Sequence, residues 1–328
     1  MKWQTEVNIA KSNFEINQTH KIISIGSCFS ENVGKKFQEH RFNIFLNPFG
    51  KIYNPVPIAA AFDLVFKKSI YTKGDLFFHS GLWHSFDHHS EYSSPNFETT
   101  LNRINTEIQR LHGFLKEADF LFITFGTSFY FHHTASQKNV ANCHKIPGKE
   151  FERKLITPQK IAESYAVLLH KLKSFNAKLK VVFTVSPVRY LSFGNFENTI
   201  SKSYLFAAVK QIIDNNNNVS YFPSYEILMD ELRDYRFYAS DMTHPNQDAI
   251  DYVWEKLSET YFSVETKAFN KQVAQLVRAA NHRPFNPESS EHKAFITKTI
   301  EKIDWIKQKY PHLNFDEEIR LLKGKIIE

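Results

Sequence analysis

The run Lys21-Ile22-Ile23-Ser24-Ile25-Gly26-Ser27-Cys28-Phe29-Ser30-Glu31-Asn32-Val33-Gly34 reads as a strand, a tight turn and the start of a helix. Lys21 to Ile25 is rich in β-branched isoleucine, which suits a short buried strand. Gly26 stands where the chain must turn sharply into the helix that follows. A Ser or Cys in that turn projects from the carboxyl edge of a sheet and meets a helix N-terminus, with its free N–H groups and positive dipole end. Both favour a thiolate at Cys28 and an oxyanion beside it. The same residues also fit a plain strand-to-helix turn holding a small buried thiol.

Far down the chain, Asp241-Met242-Thr243-His244-Pro245 offers a matching pair. Pro245 suits the first position of a helix, which puts His244 at the cap and Asp241 in the loop just before it. Three residues apart, carboxylate and imidazole can share one loop. The carboxylate then fixes the ring tautomer while the other nitrogen faces outward, as in a general base oriented for a nucleophile. Taken alone, the motif also reads as a capping Asp beside an exposed His.

Between these two stretches, strand and helix patterns alternate. A helix is expected over about 31–39, a strand over Phe42–Leu46 and a helix over Pro57–Phe66. The turn formers of Asn47-Pro48-Phe49-Gly50 come in between. Leu101, Ile104, Ile108, Leu111 and Leu115 recur at helical spacing and predict an amphipathic helix over 99–117. It leads to Phe120-Leu121-Phe122-Ile123-Thr124-Phe125, a continuous apolar run typical of a central parallel strand. Further strands are expected at Val181–Val185 and Val219–Phe222, with helices around Ile161–Leu172 and Ser201–Asp214. This alternation implies right-handed crossovers and a parallel sheet covered on both faces, with ligands gathered at its carboxyl edge. Cys28, Ser128, Ser186 and His244 would meet there.

The segment from Ser69 to Thr100 is irregular and rich in aromatics and histidine, including His79, Trp83, His84, His88 and His89. It lacks HExxH spacing and any cysteine partner, so no metal site is expected. A lid or pocket wall over the sheet edge is the reading, with Trp83 and His88 as pocket candidates. Ala141-Asn142-Cys143-His144-Lys145 suits the lining of a polar pocket better than a core. Beyond Ser263 the alternation stops. The tail reads as helical, broken at Arg283–Pro287 and Pro311, and its stripe of Ile296, Ile300, Ile303 and Ile306 fits packing on the sheet domain or on a second subunit.

The chain of 328 residues is long enough for one large core plus an accessory element. No apolar run approaches the roughly 18 residues of a membrane span. The start, Met1-Lys2-Trp3-Gln4-Thr5-Glu6, lacks an apolar signal core, which points to a cytoplasmic protein. The net charge of +6 comes largely from a tail in which Lys and Glu are interspersed, a solvated helical face rather than a nucleic-acid surface. Two cysteines make no disulfide framework, although Cys28 and Cys143 would also serve as a thiol redox pair.

Gly26-Ser27-Cys28-Phe29-Ser30, Asn47-Pro48-Phe49-Gly50, Gly126-Thr127, Ala141-Asn142-Cys143-His144-Lys145, Ser186-Pro187-Val188 and Asp241-Met242-Thr243-His244-Pro245 together resemble the GSCFA-domain proteins over roughly Gly26 to Phe262. Ser30 replaces the final alanine of the motif that names the family. That family looks related to the SGNH or GDSL-type hydrolases, a flavodoxin-like superfamily of esterases, lipases, acetylesterases and acyltransferases. The resemblance implies a three-layer αβα sandwich with a central parallel sheet; with the tail read above, the chain divides into that domain over residues 1–263 and a helical extension over 264–328 whose apolar stripe could pack on the domain or on a second subunit. No cofactor is implied.

Aligned on the glycine of the superfamily's Gly-Asp-Ser block, Cys28 takes the place of the nucleophilic serine and Ser27 that of the aspartate. A slip of one would leave Ser27 as the nucleophile. Gly50 corresponds to the oxyanion-binding glycine. The Gly-x-Asn block has no asparagine in Gly126-Thr127-Ser128, so the missing donor falls to Ser128 or to Asn142 from the following loop. Asp241 and His244 match the final Asp-x-x-His in full. The implied chemistry is ester hydrolysis or acyl transfer through a covalent acyl-enzyme, acting on a small acyl ester or an acylated glycan or lipid. Ser186, Cys143 and His144 join the pocket candidates. A binding module without catalysis is the other reading open at this point.

Overall fold

The computed structural model describes residues 4–311 and 313–327; Met1 to Trp3, on which part of the reading of the chain start rests, lie outside them. In chain order the elements begin with β1 (Lys21–Gly26), α1 (Cys28–Glu39), β2 (Asn43–Leu46) and α2 (Pro55–Phe66). A hairpin, β3 (Phe77–His79) and β4 (Leu82–His84), leads to α3 (Phe97–Glu117) and β5 (Phe120–Phe125). Next come β6 (Phe129–His133), β7 (Lys138–Val140), β8 (Phe151–Leu155), α4 (Pro158–Phe175), β9 (Lys180–Val185), α5 (Asn195–Asp214) and β10 (Val219–Tyr221). The chain ends with α6 (Gln247–Tyr261), α7 (Val264–Asn281), α8 (Ser290–Lys309) and α9 (Asp316–Ile327).

The central sheet has five strands in the order β10-β9-β5-β1-β2, all parallel. Its strands are apolar without alternation because both faces are covered. On one face Ile23, Ile25, Leu121, Ile123, Val181 and Phe183 pack with Ile58 and Phe62 of α2, Ile104 and Leu111 of α3, Tyr165 of α4 and Leu205 of α5. On the other, Ile22, Phe120, Phe122 and Val182 meet Phe29 and Phe37 of α1 and Val253, Trp254 and Leu257 of α6. This is the three-layer αβα arrangement expected from the sequence.

Several boundaries and segments depart from the expectation. Helix α1 starts at Cys28, three residues early, so the thiol belongs to its first turn. Helix α6 starts at Gln247, not Pro245, because Asn246 takes the cap by accepting from the Ala249 N–H at 3.1 Å. Pro245 instead forms an isolated antiparallel bridge with Tyr238, beside which the Ala239 N–H donates to His244 O at 2.8 Å. Residues 129–155, for which no strands were expected, fold into a three-stranded antiparallel sheet in the order β7-β6-β8.

The tail helices build an apolar cluster of their own from Val273, Leu276, Ile296, Ile303, Ile306, Phe315 and Leu322. Ile296, Ile303 and Ile306 are fully buried there, so the isoleucine stripe is occupied within the chain. The tail is tied to the sheet layer by a buried Gln18–Asn270 bond of 2.6 Å and by Arg41, which pairs with Glu318 and lies over the Phe315 ring. Among the described residues no helix is long and apolar enough to cross a membrane.

Candidate active site

Three neighbouring strands of the sheet, β9, β5 and β1, end at one cavity of about 520 Å³. Ser27 and Cys28 follow β1, Gly126 and Thr127 follow β5, and Ser186, Val188 and Arg189 follow β9; all line it. Phe129, Phe131, Val140, Ala141, Asn142 and Cys143 from the antiparallel insertion form a wall, and His244 closes the set. Thus Cys28 and His244, more than two hundred positions apart, share one cleft.

Gly26 makes the turn possible. Its φ is +152°, and a methyl group there would lie 2.4 Å from Thr124 O on β5. Asn47 receives the turn with its side-chain Oδ1, which accepts from the Gly26 N–H at 3.0 Å. Cys28 then sits half-buried at the first turn of α1, while Ser27 is buried in extended backbone as the cap. Among the described residues nothing hydrogen-bonds to Ser27 Oγ. Burial pushes the Cys28 thiol up; the N–H groups of Phe29 and of Cys28 itself, then the Lys51 and Lys202 ammoniums, oppose it. Lys51 is paired with Glu31 at 2.7 Å.

The Asp241–His244 loop is built as the sequence suggests. Asp241 Oδ2 holds His244 Nδ1 at 2.6 Å, and Asp241 Oδ1 accepts the N–H groups of Thr243 and His244, each at 2.9 Å. These contacts, led by the His244 N–H, hold the Asp241 carboxyl down at about 2. Nε2 of His244 is left to face outward from the carboxylate. No hydrogen bond joins it to the thiol among the described residues; such bonds often tighten only around substrate.

Other candidates fall elsewhere. The Gly50 N–H donates to Asn47 O at 2.7 Å, and its φ of +72° and the contact a methyl group would make with His89 Cβ at 2.3 Å mark a packed turn glycine. That N–H is unavailable to an oxyanion. Ser128 is fully buried, its hydroxyl donating to Ser201 O at 3.1 Å, which likewise removes it. Trp83 packs on Phe97 with ring centres 5.0 Å apart, and His88 is buried against Phe49 at 4.8 Å. His144 donates from Nε2 to Ser85 O, 2.8 Å away, within the same packed layer. The histidine-rich segment is therefore a compact aromatic layer behind the site, not a lid. Burial draws His88 down to about 3 and His144 to about 4. Among the described residues no group of three or more His, Cys, Asp or Glu is placed to hold a metal ion.

Asn142 lines the cavity, its Oδ1 fixed by the His144 N–H at 2.8 Å. Two lining or supporting residues escaped the sequence reading. Asn54 caps α2 through its Oδ1, which accepts from the Val56 N–H at 3.2 Å, and it lines the cavity. Capping fixes the amide orientation, since only the oxygen can accept, so the NH₂ end points away from the helix. Its neighbour Tyr53 is bonded through its carbonyl to the Gly126 and Thr127 N–H groups at 2.7 and 2.9 Å, and Ile52 N–H to Gly26 O at 2.9 Å. Those bonds bring 52–54 alongside Gly26–Cys28. Lys202 on α5 is buried below the cavity, and its signal was present in the sequence: it lies three residues before Leu205 and seven before Val209, on the apolar face of the helix.

The GSCFA family model matches residues 21–257, and the model of the GSCFA domain protein C-terminal domain matches residues 273–328. Among solved structures, an acetyl xylan esterase (Est2A) from the rumen bacterium Butyrivibrio proteoclasticus is similar at 11% identity and a TM-score of 0.34, over 77% of this chain. The chain spans 64% of the length of that esterase chain. No curated protein matches the sequence.

Proposed function

Starting from a chain that belongs to the GSCFA family, we propose that the cavity is the active site of an acyl hydrolase or acyltransferase with Cys28 as nucleophile. The observation that carries this reading is the sharing of one cavity by Cys28 and by His244, whose Nδ1 is held by Asp241 at 2.6 Å. Asp241 sets the tautomer with the proton on Nδ1, so Nε2 accepts the thiol proton as the sulfur attacks an acyl carbonyl. The carbonyl π electrons move to oxygen, and collapse of the tetrahedral adduct expels the alcohol, protonated by the imidazolium, leaving a thioester. Water, or another acceptor hydroxyl or amine, then takes the acyl group by the same route in reverse.

The oxyanion is met by N–H groups of the first turn of α1 and by the amide NH₂ of Asn54, with Asn142 as the alternative. This assignment replaces Gly50 and Ser128, whose donors are occupied. Phe129, Phe131, Val140 and Val188 give the cavity an apolar wall suited to the acyl chain. Hydrolysis and transfer differ only in the acceptor. A small acyl ester, or an acylated glycan or lipid, is the substrate class.

Ser27 is the weaker nucleophile candidate, because its hydroxyl is 1% exposed whereas Cys28 is half-buried. A redox role for Cys28 and Cys143 draws support from their common cavity, but burial pushes the Cys143 thiol up to about 11, away from the range of a reactive thiolate. The test is acylation by p-nitrophenyl acetate, read as a burst and as a thioester cleaved by hydroxylamine. Wild type should acylate on the Cys28 peptide, and Cys28→Ala and His244→Ala should not; equal labelling of all three would end this reading.

A further inference from the structure

Lys202 projects from α5 under the floor of the cavity. It is 2% exposed, and its Nζ donates to the carbonyl oxygens of Gly126 at 2.7 Å and Ser186 at 2.5 Å. Both are residues just past β5 and β9 that line the same cavity as Cys28. A methyl group on Gly126 would lie 3.4 Å from Ser27 Cβ, so the ammonium is linked to the Ser27–Cys28 turn through Gly126, whose carbonyl it holds.

A buried ammonium is strongly unfavourable unless it is compensated. Among the described residues no carboxylate pairs with Lys202, and two neutral carbonyls compensate only in part. Methionine would fill the same space on the apolar face of α5 without that cost, so the position holds a charge rather than a shape. The group nearby that gains a negative charge in the proposed reaction is Cys28.

We propose that Lys202 is the counter-charge of the cavity floor, a positioning residue whose buried ammonium stabilises the Cys28 thiolate and the negative charge that develops beside it. This inference rests on the reading of Cys28 as the nucleophile. On ionisation the S–H bond breaks, its electron pair stays on sulfur, the proton passes to Nε2 of His244, and Lys202 keeps its own three protons.

Burial pulls Lys202 down to about 7, and negative charge on Cys28 raises it. The two groups are therefore electrostatically coupled: the ammonium is held more strongly when the sulfur carries negative charge, and burial pushes the thiol up against that help. The other titratable or charged groups facing this pair are Glu31 on α1, Lys51 and Tyr53 from the loop after β2, Cys143 from the antiparallel insertion, Arg189 and Tyr190 after β9, His244 from the loop before α6, and Tyr225, whose ring centre lies 5.8 Å from Lys202 Nζ. Lys51 is paired with Glu31, whereas Lys202 has no carboxylate partner among the described residues, and both cations favour a charged sulfur.

The experiment is the rate of iodoacetamide alkylation of the Cys28 peptide, followed by mass spectrometry as pH is varied. In the wild type the rate should rise with pH as the thiolate forms. In Lys202→Met the rise should move to higher pH and alkylation at neutral pH should slow roughly tenfold or more, the effect of a one-unit rise in thiol pKa. Superimposable profiles would overturn the proposal. Should Lys202→Met fail to fold, ¹³Cε resonances of the wild-type lysines read the same coupling from the other side: Cys28→Ser should lower the midpoint of the lysine that titrates near neutrality. An unmoved midpoint, or no lysine titrating there, overturns the proposal as well. Alkylation needs no substrate, so an absent thioester with an intact lysine-dependent profile would count against the acyl-transfer reading alone.

Discussion

Gly26→Ala tests the architecture beneath the site. The added methyl group would stand 2.4 Å from Thr124 O and 2.8 Å from Thr124 Cβ, contacts with the paired strand β5 rather than with a flexible side-chain tip. Relief requires β1 and β5 to separate or the turn to abandon its φ of +152°, which an L side chain rarely adopts. Backbone strain contributes about 1–3 kcal/mol and overpacking about 1–3 kcal/mol. The combined loss of ~4 kcal/mol lowers the melting temperature of a chain this long by ~6 °C. Gly113→Ala is the matching control. It lies inside α3, where a methyl group meets nothing within 4 Å, and should raise stability by ~0.5–1 kcal/mol by favouring the helix. Thermal unfolding followed by circular dichroism reads both, and esterase turnover reads the displacement of Cys28. If Gly26→Ala melts within ~2 °C of the wild type, the turn is not held as described.

Three further outcomes are expected. Asp241→Asn keeps an Oδ1 for the Thr243 and His244 N–H groups but replaces the acceptor of His244 Nδ1 with an NH₂; turnover should fall ~100-fold with the melting temperature unchanged, as steady-state kinetics and calorimetry would show. Asn54→Ser retains a helix cap but removes the amide donor, so kcat should drop ~100-fold at little cost in stability, whereas an unchanged kcat assigns the oxyanion to Asn142. His88 and His144 are held neutral in the folded chain, at about 3 and about 4. Unfolded, both protonate below about 6.5, so their contribution is complete above that pH and is lost as pH falls toward the folded values. By about pH 5 each should have removed ~2 kcal/mol, and His88→Phe should flatten the decline in urea-unfolding free energy between about pH 6.5 and pH 5.

The parts of the fold legible in the sequence are those governed by continuous local pattern. Phe120 to Phe125 carries apolar residues at every position because both sheet faces are covered, and the 3.6-residue recurrence from Leu101 to Leu115 follows from one face of α3 packing on that sheet. Asp241 and His244 were legible because their partnership is closed within four residues. The antiparallel sheet at 129–155 was not: His132, His133, Lys138 and Asn139 interrupt any apolar alternation, and its pairing comes from backbone bonds that side-chain pattern does not encode. Helix α6 was misplaced by two residues because Pro245 fits a first helical position, yet the cap bond formed by Asn246 decides the start.

At the site, the thiol and imidazole could be paired by motif, but the groups that supply charge and donors depend on packing between remote segments. Gly50 fits an oxyanion glycine by position, whereas its N–H is taken by Asn47 three residues back. Asn54 and Lys202 reverse that situation: each resembles a routine helix residue, a cap in one case and a lysine on α5 in the other. Their surroundings arise because loops leaving β2, β5 and β9 converge, bringing Tyr53 onto Gly126 and Thr127 and the carbonyls of Gly126 and Ser186 onto one ammonium. A parallel sheet forces this convergence, since every strand delivers its following loop to the same edge. The Gly26–Cys28 turn therefore inherits its electrostatic surroundings from the neighbouring strands, and changes at Gly126, Ser186 or Lys202 should alter Cys28 reactivity even though none lies near it in sequence.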